Sequence, residues 1–187
     1  TNTSIGETLS NVEEYFFNTN DLINSSFFLP YLSGERTPHN DPYIRGSFHS
    51  MKTTTNSTNL QYAVIEGISF GILDGVNSIL KVNNNFEKIF MVGGGSKSKF
   101  WIELLASLLN RNLSVCDQSE FGAALGVARL AMYVDKNIDT KENIIKEINV
   151  SKIFNPNQDK IDLLLKRYNI WRDIYFSNKK IASNLLA

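Results

Sequence analysis

The chain holds 187 residues, 42% hydrophobic and 11% aromatic, which supports a packed core and excludes wholesale disorder. With 19 basic and 19 acidic side chains the formal charge is zero, so there is no electrostatic footprint for nucleic acid or an anionic membrane. One cysteine and two histidines exclude an intrachain disulfide and a His/Cys zinc cluster.

Ile5, Leu9, Val12, Phe16 and Phe17 recur at helical spacing opposite Glu7, Glu13 and Glu14, and predict a short amphipathic helix. Residues 18–26 read as a polar loop. The apolar run 27–32 then leads into Ser33-Gly34-Glu35-Arg36-Thr37-Pro38-His39-Asn40-Asp41-Pro42, where glycine and proline forbid regular structure. Two readings of that stretch stay open. It is an ordinary surface loop, or a rigid one whose Glu35 and Arg36 make fixed contacts beside a ligand or a neighbouring domain.

A short strand over 46–51 precedes a long helix from 59 to about 80, with Thr58 and Gln61 spaced as a capping box. Ala63, Gly67, Gly71 and Gly75 form a nearly bare stripe on it. Each interior glycine costs about 1 kcal/mol against alanine, so the stripe predicts close packing against a helix or sheet rather than a ligand groove. No apolar run is read as approaching membrane-spanning length.

Asn83 to Phe86 turns the chain into Ile89-Phe90-Met91-Val92, a buried strand, followed by Gly93-Gly94-Gly95-Ser96-Lys97-Ser98. Ser98 is placed to cap a helix carrying Phe100, Trp101, Leu104, Leu105, Leu108 and Leu109. A strand running through glycines into a helix sets bare backbone beside helix-terminal N–H groups, a place suited to a nucleotide. Alone, such a turn is more often only a turn, and it fits neither the Walker A pattern nor G-x-G-x-x-G.

Leu113-Ser114-Val115-Cys116 reads as a second strand with Cys116 a buried, inert thiol. Ser119-Glu120 caps a helix from Phe121 to about Val134, whose Gly122, Ala123, Ala124, Gly126 and Ala128 offer a small-residue face to the glycine stripe. Residues 135–151 read as polar and exposed with some helical character. After Asn155-Pro156-Asn157, a last amphipathic helix keeps Ile161, Leu164, Leu165, Tyr168, Trp171 and Tyr175 on its apolar face and its lysines and arginines in solvent. The alternation of strands and helices argues for an α/β domain with parallel neighbours.

Three stretches together resemble the FGGY carbohydrate kinases, in their xylulokinase branch. The first is the loop 29–42. The second, 46–66, is similar to the family's C-terminal signature: Gly46, Phe48 and Met51, then Asn59-Leu60 and Ala63-Val64-Ile65-Glu66, with Ser50 standing where the pattern has glycine. The third is the glycine loop 93–95 followed by Glu120-Phe121-Gly122-Ala123-Ala124-Leu125-Gly126, which resembles the family's adenosine motif and the helix after it.

The resemblance implies a ribonuclease-H-like domain of the actin/hexokinase/sugar-kinase type, here the partial C-terminal one. Residues 1–45 would be a leading helix and loop, 46–134 the α/β core and 135–187 a C-terminal helical appendage. It implies ATP and Mg2+ as cofactors and transfer of the γ-phosphoryl group to D-xylulose, giving D-xylulose 5-phosphate. Gly93 and Gly94 would lie beside the α-phosphate and ribose, Gly95 and Ser96 would continue the wall, and Ser98 would reach the adenine or equally only cap its helix. The family's phosphate loop, magnesium aspartate and catalytic aspartate lie upstream of these motifs. This chain, which starts at Thr1, is therefore read as a C-terminal piece, inactive alone, with no catalytic or metal residue of its own. Asp21, Asp41 and Asp74 are carboxylates outside the catalytic motif, and none is assigned as the base. A cytoplasmic setting, an N-terminal domain sharing the sugar, no nucleic acid, no membrane, and a homodimer as an open option complete the reading. The alternatives are a gluconate or other sugar kinase of the family, or a non-catalytic nucleotide-binding module.

Overall fold

In the computed structural model the described residues are 4–18, 22, 25–82, 88–117, 122–134 and 149–184. They form α1 (Ile5–Asn18), β1 (Phe27–Leu29), β2 (Ser47–His49), α2 (Ser57–Val82) and β3 (Ile89–Met91). A 3-10 turn (Gly94–Lys97) then leads to α3 (Lys99–Leu109), β4 (Leu113–Cys116), α4 (Gly122–Val134), β5 (Val150–Phe154) and α5 (Gln158–Asn184). Asp21, the turn 83–86, the Ser119-Glu120 cap and most of the 135–151 segment lie outside the described residues.

Local chemistry sets the helix starts. Ser4 and Glu7 exchange side-chain and backbone bonds at 3.2 and 2.9 Å, a capping box for α1. At α2 the reciprocal box is Asn56 with Asn59, each side-chain oxygen accepting the other's N–H at 3.0 Å, rather than Thr58 with Gln61. Asparagine caps as well as serine or threonine does, and here it starts the helix two residues earlier than the sequence reading.

The strands form two sheets. β1 and β2 pair antiparallel, with Phe28 opposite Phe48 and their rings 4.6 Å apart. β3 and β4 are parallel neighbours, joined through α3 as the strand–helix–strand pattern requires. β5 adds antiparallel to the far edge of β4, with a bulge between Val115 and Cys116. That strand corrects the reading of 135–151, which did not foresee extended structure at Val150 and Ser151. Only Phe154 of the strand is buried, so no two-residue alternation marked it.

The main core gathers Val12 and Phe16 of α1, Leu29 of β1, Tyr62 and Phe70 of α2, Phe100 and Leu104 of α3, and Leu164 and Trp171 of α5. A smaller core of Ile102, Leu105, Leu113 and Phe154 sits between α3 and the three-stranded sheet. The glycine stripe serves the main core. A Cβ on Gly67 would lie 2.1 Å from the Phe28 carbonyl oxygen, so bare backbone here seats α2 directly on β1. α4 does not reach the stripe: no residue of α4 is buried, Gly126 faces open space and Gly122 approaches Val92. The expected helix–helix contact is replaced by a helix–strand contact, because β1 occupies that face of α2.

Two further expectations are corrected by burial. Arg167 does not lie on a solvated face of α5. It is fully buried and donates to both Glu66 carboxylate oxygens, at 2.7 and 2.6 Å. Leu165, placed on the apolar face, is 37% exposed. An apolar run of spanning length also exists: α2, at 26 residues with an 18-residue window of mean hydropathy 1.4, is long and apolar enough to cross a membrane. It is instead a core helix here, carrying buried Glu66 and Asp74 to partners on α5.

Ser50 stands at φ +59°, the left-handed region, where the signature has glycine. Serine there holds a left-handed conformation that costs an L residue energy. Ser50→Gly is expected to raise stability by about 0.5–1 kcal/mol, the relief of that strain less the added freedom of the unfolded chain. A urea midpoint that stays put or falls would contradict it.

Candidate functional site

The backbone leaves β3 at Met91 and turns at Gly93, whose φ of +86° is open to glycine and strained for other residues. The next four residues wind into the 3-10 turn. Ser96 N–H and its hydroxyl both donate to the Gly93 carbonyl, at 3.0 and 2.7 Å, and close the loop on itself. Ser98 then caps α3, its Oγ accepting from Trp101 N–H at 3.3 Å. The cap expected from the sequence is present, and the Ser98 hydroxyl proton is left for another acceptor.

The three glycines differ in what surrounds them. Among the described residues, a Cβ on Gly93 or Gly94 would meet nothing within 4 Å. A Cβ on Gly95 would press on the Trp101 ring at 3.2 Å. Of the three, Gly95 alone has a described neighbour crowding the place of a Cβ. At Gly94 neither φ nor packing among the described residues demands glycine, and none of them fills the space beside it. Such a cradle suits a ligand lying against the main chain. Ser96 and Ser98 are buried beneath it.

The 33–42 loop is held by bonds within itself and by ties to α2 and α5. Glu35 and Asp41 pair through their backbones at 2.8 and 2.7 Å, and Glu35 Oε2 accepts from His39 N–H at 2.8 Å. Arg36 offers its carbonyl to Asn40 N–H while its side chain is exposed. Burial of Asp41 works against its charge, but donation from Tyr43 N–H, Ile44 N–H and the Tyr175 hydroxyl, with Lys179 nearby, holds the carboxyl below its usual range. Tyr175, pushed up to about 12 by burial and by Asp41, stays a protonated donor. Its ring stacks on His39 at 3.8 Å, and His39 Nε2 lies 3.2 Å from Asp74 Oδ2.

Asp74 also accepts from the Tyr168 hydroxyl and faces Arg172 at 3.9 Å. Asp41 and Asp74 are thus both engaged as ties between the loop, α2 and α5. Cys116 is buried, and burial raises its thiol pKa, as for an inert cysteine. Among the described residues no three His, Cys, Asp or Glu side chains come together as metal donors.

The side chain that sequence reasoning passed over is Trp101. It was counted as one more apolar residue of α3, yet its ring lies under Gly95 and its indole N–H donates to Ser69 Oγ of α2 at 2.9 Å. The available signal was its indole N–H, which needs a partner when buried.

With this geometry in hand, the comparisons with known proteins are specific. A xylulose kinase of Staphylococcus epidermidis is 35% identical over 164 residues, 87% of this chain and 33% of the relative. A xyloylose kinase structure from Brucella ovis superposes with a TM-score of 0.73 at 28% identity, covering 95% of this chain and 39% of that one. A gluconate kinase structure from Lactobacillus acidophilus gives a TM-score of 0.76 at 24% identity, over 99% of this chain and 37% of that one. The chain spans about a third of the length of the curated relatives it matches. The fold is α/β, of the actin/hexokinase-like kind found in these sugar kinases. Residues 13–134 match the FGGY family of carbohydrate kinases, C-terminal domain, and the chain belongs to that family.

Proposed function

We propose that the chain supplies the adenosine-side wall of an ATP-dependent kinase that phosphorylates D-xylulose to D-xylulose 5-phosphate. The observation that carries the nucleotide site is the open space beside Gly93 and Gly94, at the end of β3, in a loop that packing alone would not keep bare at Gly94. Gly93 and Gly94 would lie beside the α-phosphate and ribose. Gly95 and Ser96 would continue the wall, and the Ser98 hydroxyl would donate toward the adenine while still capping α3. ATP supplies the transferred γ-phosphoryl group, and magnesium the charge neutralisation on its oxygens. No described residue is given the metal or the general base, so what this chain does is bind and orient. The names of the relatives, xylulose kinases at 35% and 37% identity, support the sugar. A gluconate kinase remains the alternative on fold alone. A cytoplasmic setting, and sharing of the sugar with an N-terminal domain, belong to the same proposal.

The test is Gly94→Val in the full-length gene product, assayed with ATP against a panel of ketoses and gluconate. A branched side chain in the cradle is expected to raise the ATP dissociation constant by about tenfold or more, the cost of about 1.4 kcal/mol of lost contact. An unchanged ATP constant removes the loop from the site. Nucleotide binding with no turnover on any sugar would favour the non-catalytic module.

A further inference from the structure

The glycine loop rests on a single aromatic side chain, which in turn is fastened to a different part of the fold. Trp101 packs against both hydrophobic cores. Its backbone N–H bonds Ser98 Oγ at the foot of the loop, and its ring is the surface that a Cβ on Gly95 would press on at 3.2 Å. The indole N–H donates at 2.9 Å to Ser69 Oγ, which is fully buried and donates onward to the Ile65 carbonyl at 2.7 Å. Ser69 therefore accepts from the indole while its own proton is committed, and the bond has one direction. Two residues away on α2, Gly67 sits on the Phe28 carbonyl, which also accepts from Trp171 Nε1 at 2.8 Å.

We propose that Trp101, held by Ser69, is the positioning residue that sets the height and orientation of the glycine loop for the nucleotide. The idea rests on the reading of that loop as the nucleotide wall. Trp101 touches no ligand in this role. It acts through Gly95 and Ser98, the two loop residues it contacts, and it ties the loop to α2 rather than to the strand that precedes it. A residue needed only to fill space would accept phenylalanine, and its loss would affect every substrate alike. A positioning residue fixed by one bond loses its geometry when that bond is removed, and only the ligand on the loop registers the change.

The experiment compares Ser69→Ala, Trp101→Phe and Gly95→Ala with Gly94→Val in the full-length gene product. Apparent KM for ATP and for the sugar are measured together, with the thermal midpoint. Ser69→Ala removes only the acceptor, so it serves where Trp101→Phe fails to fold. The expected result is an ATP KM raised by about fivefold in Ser69→Ala and Trp101→Phe, the loss of one part-buried hydrogen bond, with the sugar KM unchanged. Gly95→Ala pushes the ring from the other side and is expected to act in the same direction. Tryptophan emission gives an independent readout. ADP is expected to change the emission of the native protein, and the part of that change reported by Trp101 should be lost in Trp101→Phe, while Trp171 is fully buried. If Gly94→Val raises the ATP KM and Ser69→Ala and Trp101→Phe do not, the positioning role is overturned and the loop keeps its nucleotide. If ATP and sugar constants rise together in Ser69→Ala, the residue is structural and the proposal fails. If Gly94→Val changes nothing, the loop reading and this inference fall together.

Discussion

Arg167→Ala is expected to lose about 3–5 kcal/mol of unfolding free energy, because it strands a buried carboxylate. Arg167 is fully buried, and Glu66 is 1% exposed. The guanidinium donates to both Glu66 oxygens, to the carbonyls of Leu22 and Ser25 through Nη1 at 2.6 and 3.2 Å, and to that of Ser26 through Nη2 at 3.2 Å. It also lies over the Phe27 ring at 4.2 Å. Burial works against its charge, yet Glu66 holds the proton on it and raises its pKa. Removing the arginine leaves Glu66 with the Tyr62 hydroxyl at 2.9 Å and takes a donor from three backbone carbonyls, of which that of Leu22 keeps Ser25 N–H at 3.0 Å. A domain has about 5–15 kcal/mol in total, so the loss takes a large share. Urea unfolding measures it. The paired change Arg167→Met with Glu66→Leu should recover part of the loss, since no charge is then buried alone. A single-mutant loss below about 1 kcal/mol, the scale of an exposed ion pair, would mean that the pair is not sealed from water.

The second large effect is a change of sign along one helix face. Gly67→Ala is expected to cost about 3 kcal/mol or more, whereas Gly75→Ala should gain about 1 kcal/mol. At Gly67 the new methyl meets the Phe28 backbone oxygen at 2.1 Å, and backbone on a paired strand cannot step aside as a flexible side chain would. Pushing Phe28 away also lengthens the bond from Trp171 Nε1. At Gly75 no described residue lies within 4 Å of a Cβ, so alanine brings its better helix propensity. Gly71, with Pro30 Cγ at 3.9 Å and the Tyr31 hydroxyl at 4.0 Å, should fall between them. Thermal midpoints of the three variants, compared side by side, test the seating of α2 on β1. Equal effects at Gly67 and Gly75 would dismiss it.

These contacts bear on the site through α2. The helix is located by Phe28 on one side and Arg167 on another, and it carries Ser69 to Trp101 beneath the loop. A destabilised α2 would move the cradle even where the loop sequence is untouched.

Much of the arrangement was legible one-dimensionally because it is local. Helical spacing located α1, α2, α3 and α5, since a repeating apolar face is written within a few turns. The run Ile89–Met91, the glycines and Ser98 announced a strand, a turn and a capped helix, and the parallel pairing of β3 with β4 follows from the helix between them. The order of the 33–42 loop, the 46–66 signature and the glycine loop pointed to the family that the match over residues 13–134 shows. A bare stripe on α2 declared close packing, because glycines at a cost in helix propensity need such a reason.

Only the tertiary structure decided what packs on what. The same glycine periodicity serves a helix or a strand, and β1 rather than α4 took the place. Arg167 carries the composition of a solvated face and became the most buried charge, because Glu66 lies about a hundred residues earlier in sequence and no local pattern joins them. β5 gave no alternation, since it buries a single side chain. Asp41 and Asp74, left unassigned in the sequence, have partners on α5 that no local spacing announces. The difference between Gly94, open to a ligand, and Gly95, closed by Trp101, depends on a side chain six residues away folding back over the turn. Sequence alone determined which segments become helix or strand and that the glycine loop joins β3 to α3, because short-range spacing controls both. The fold determined which face of that loop is free, because that depends on long-range packing through Ser69 and Trp101.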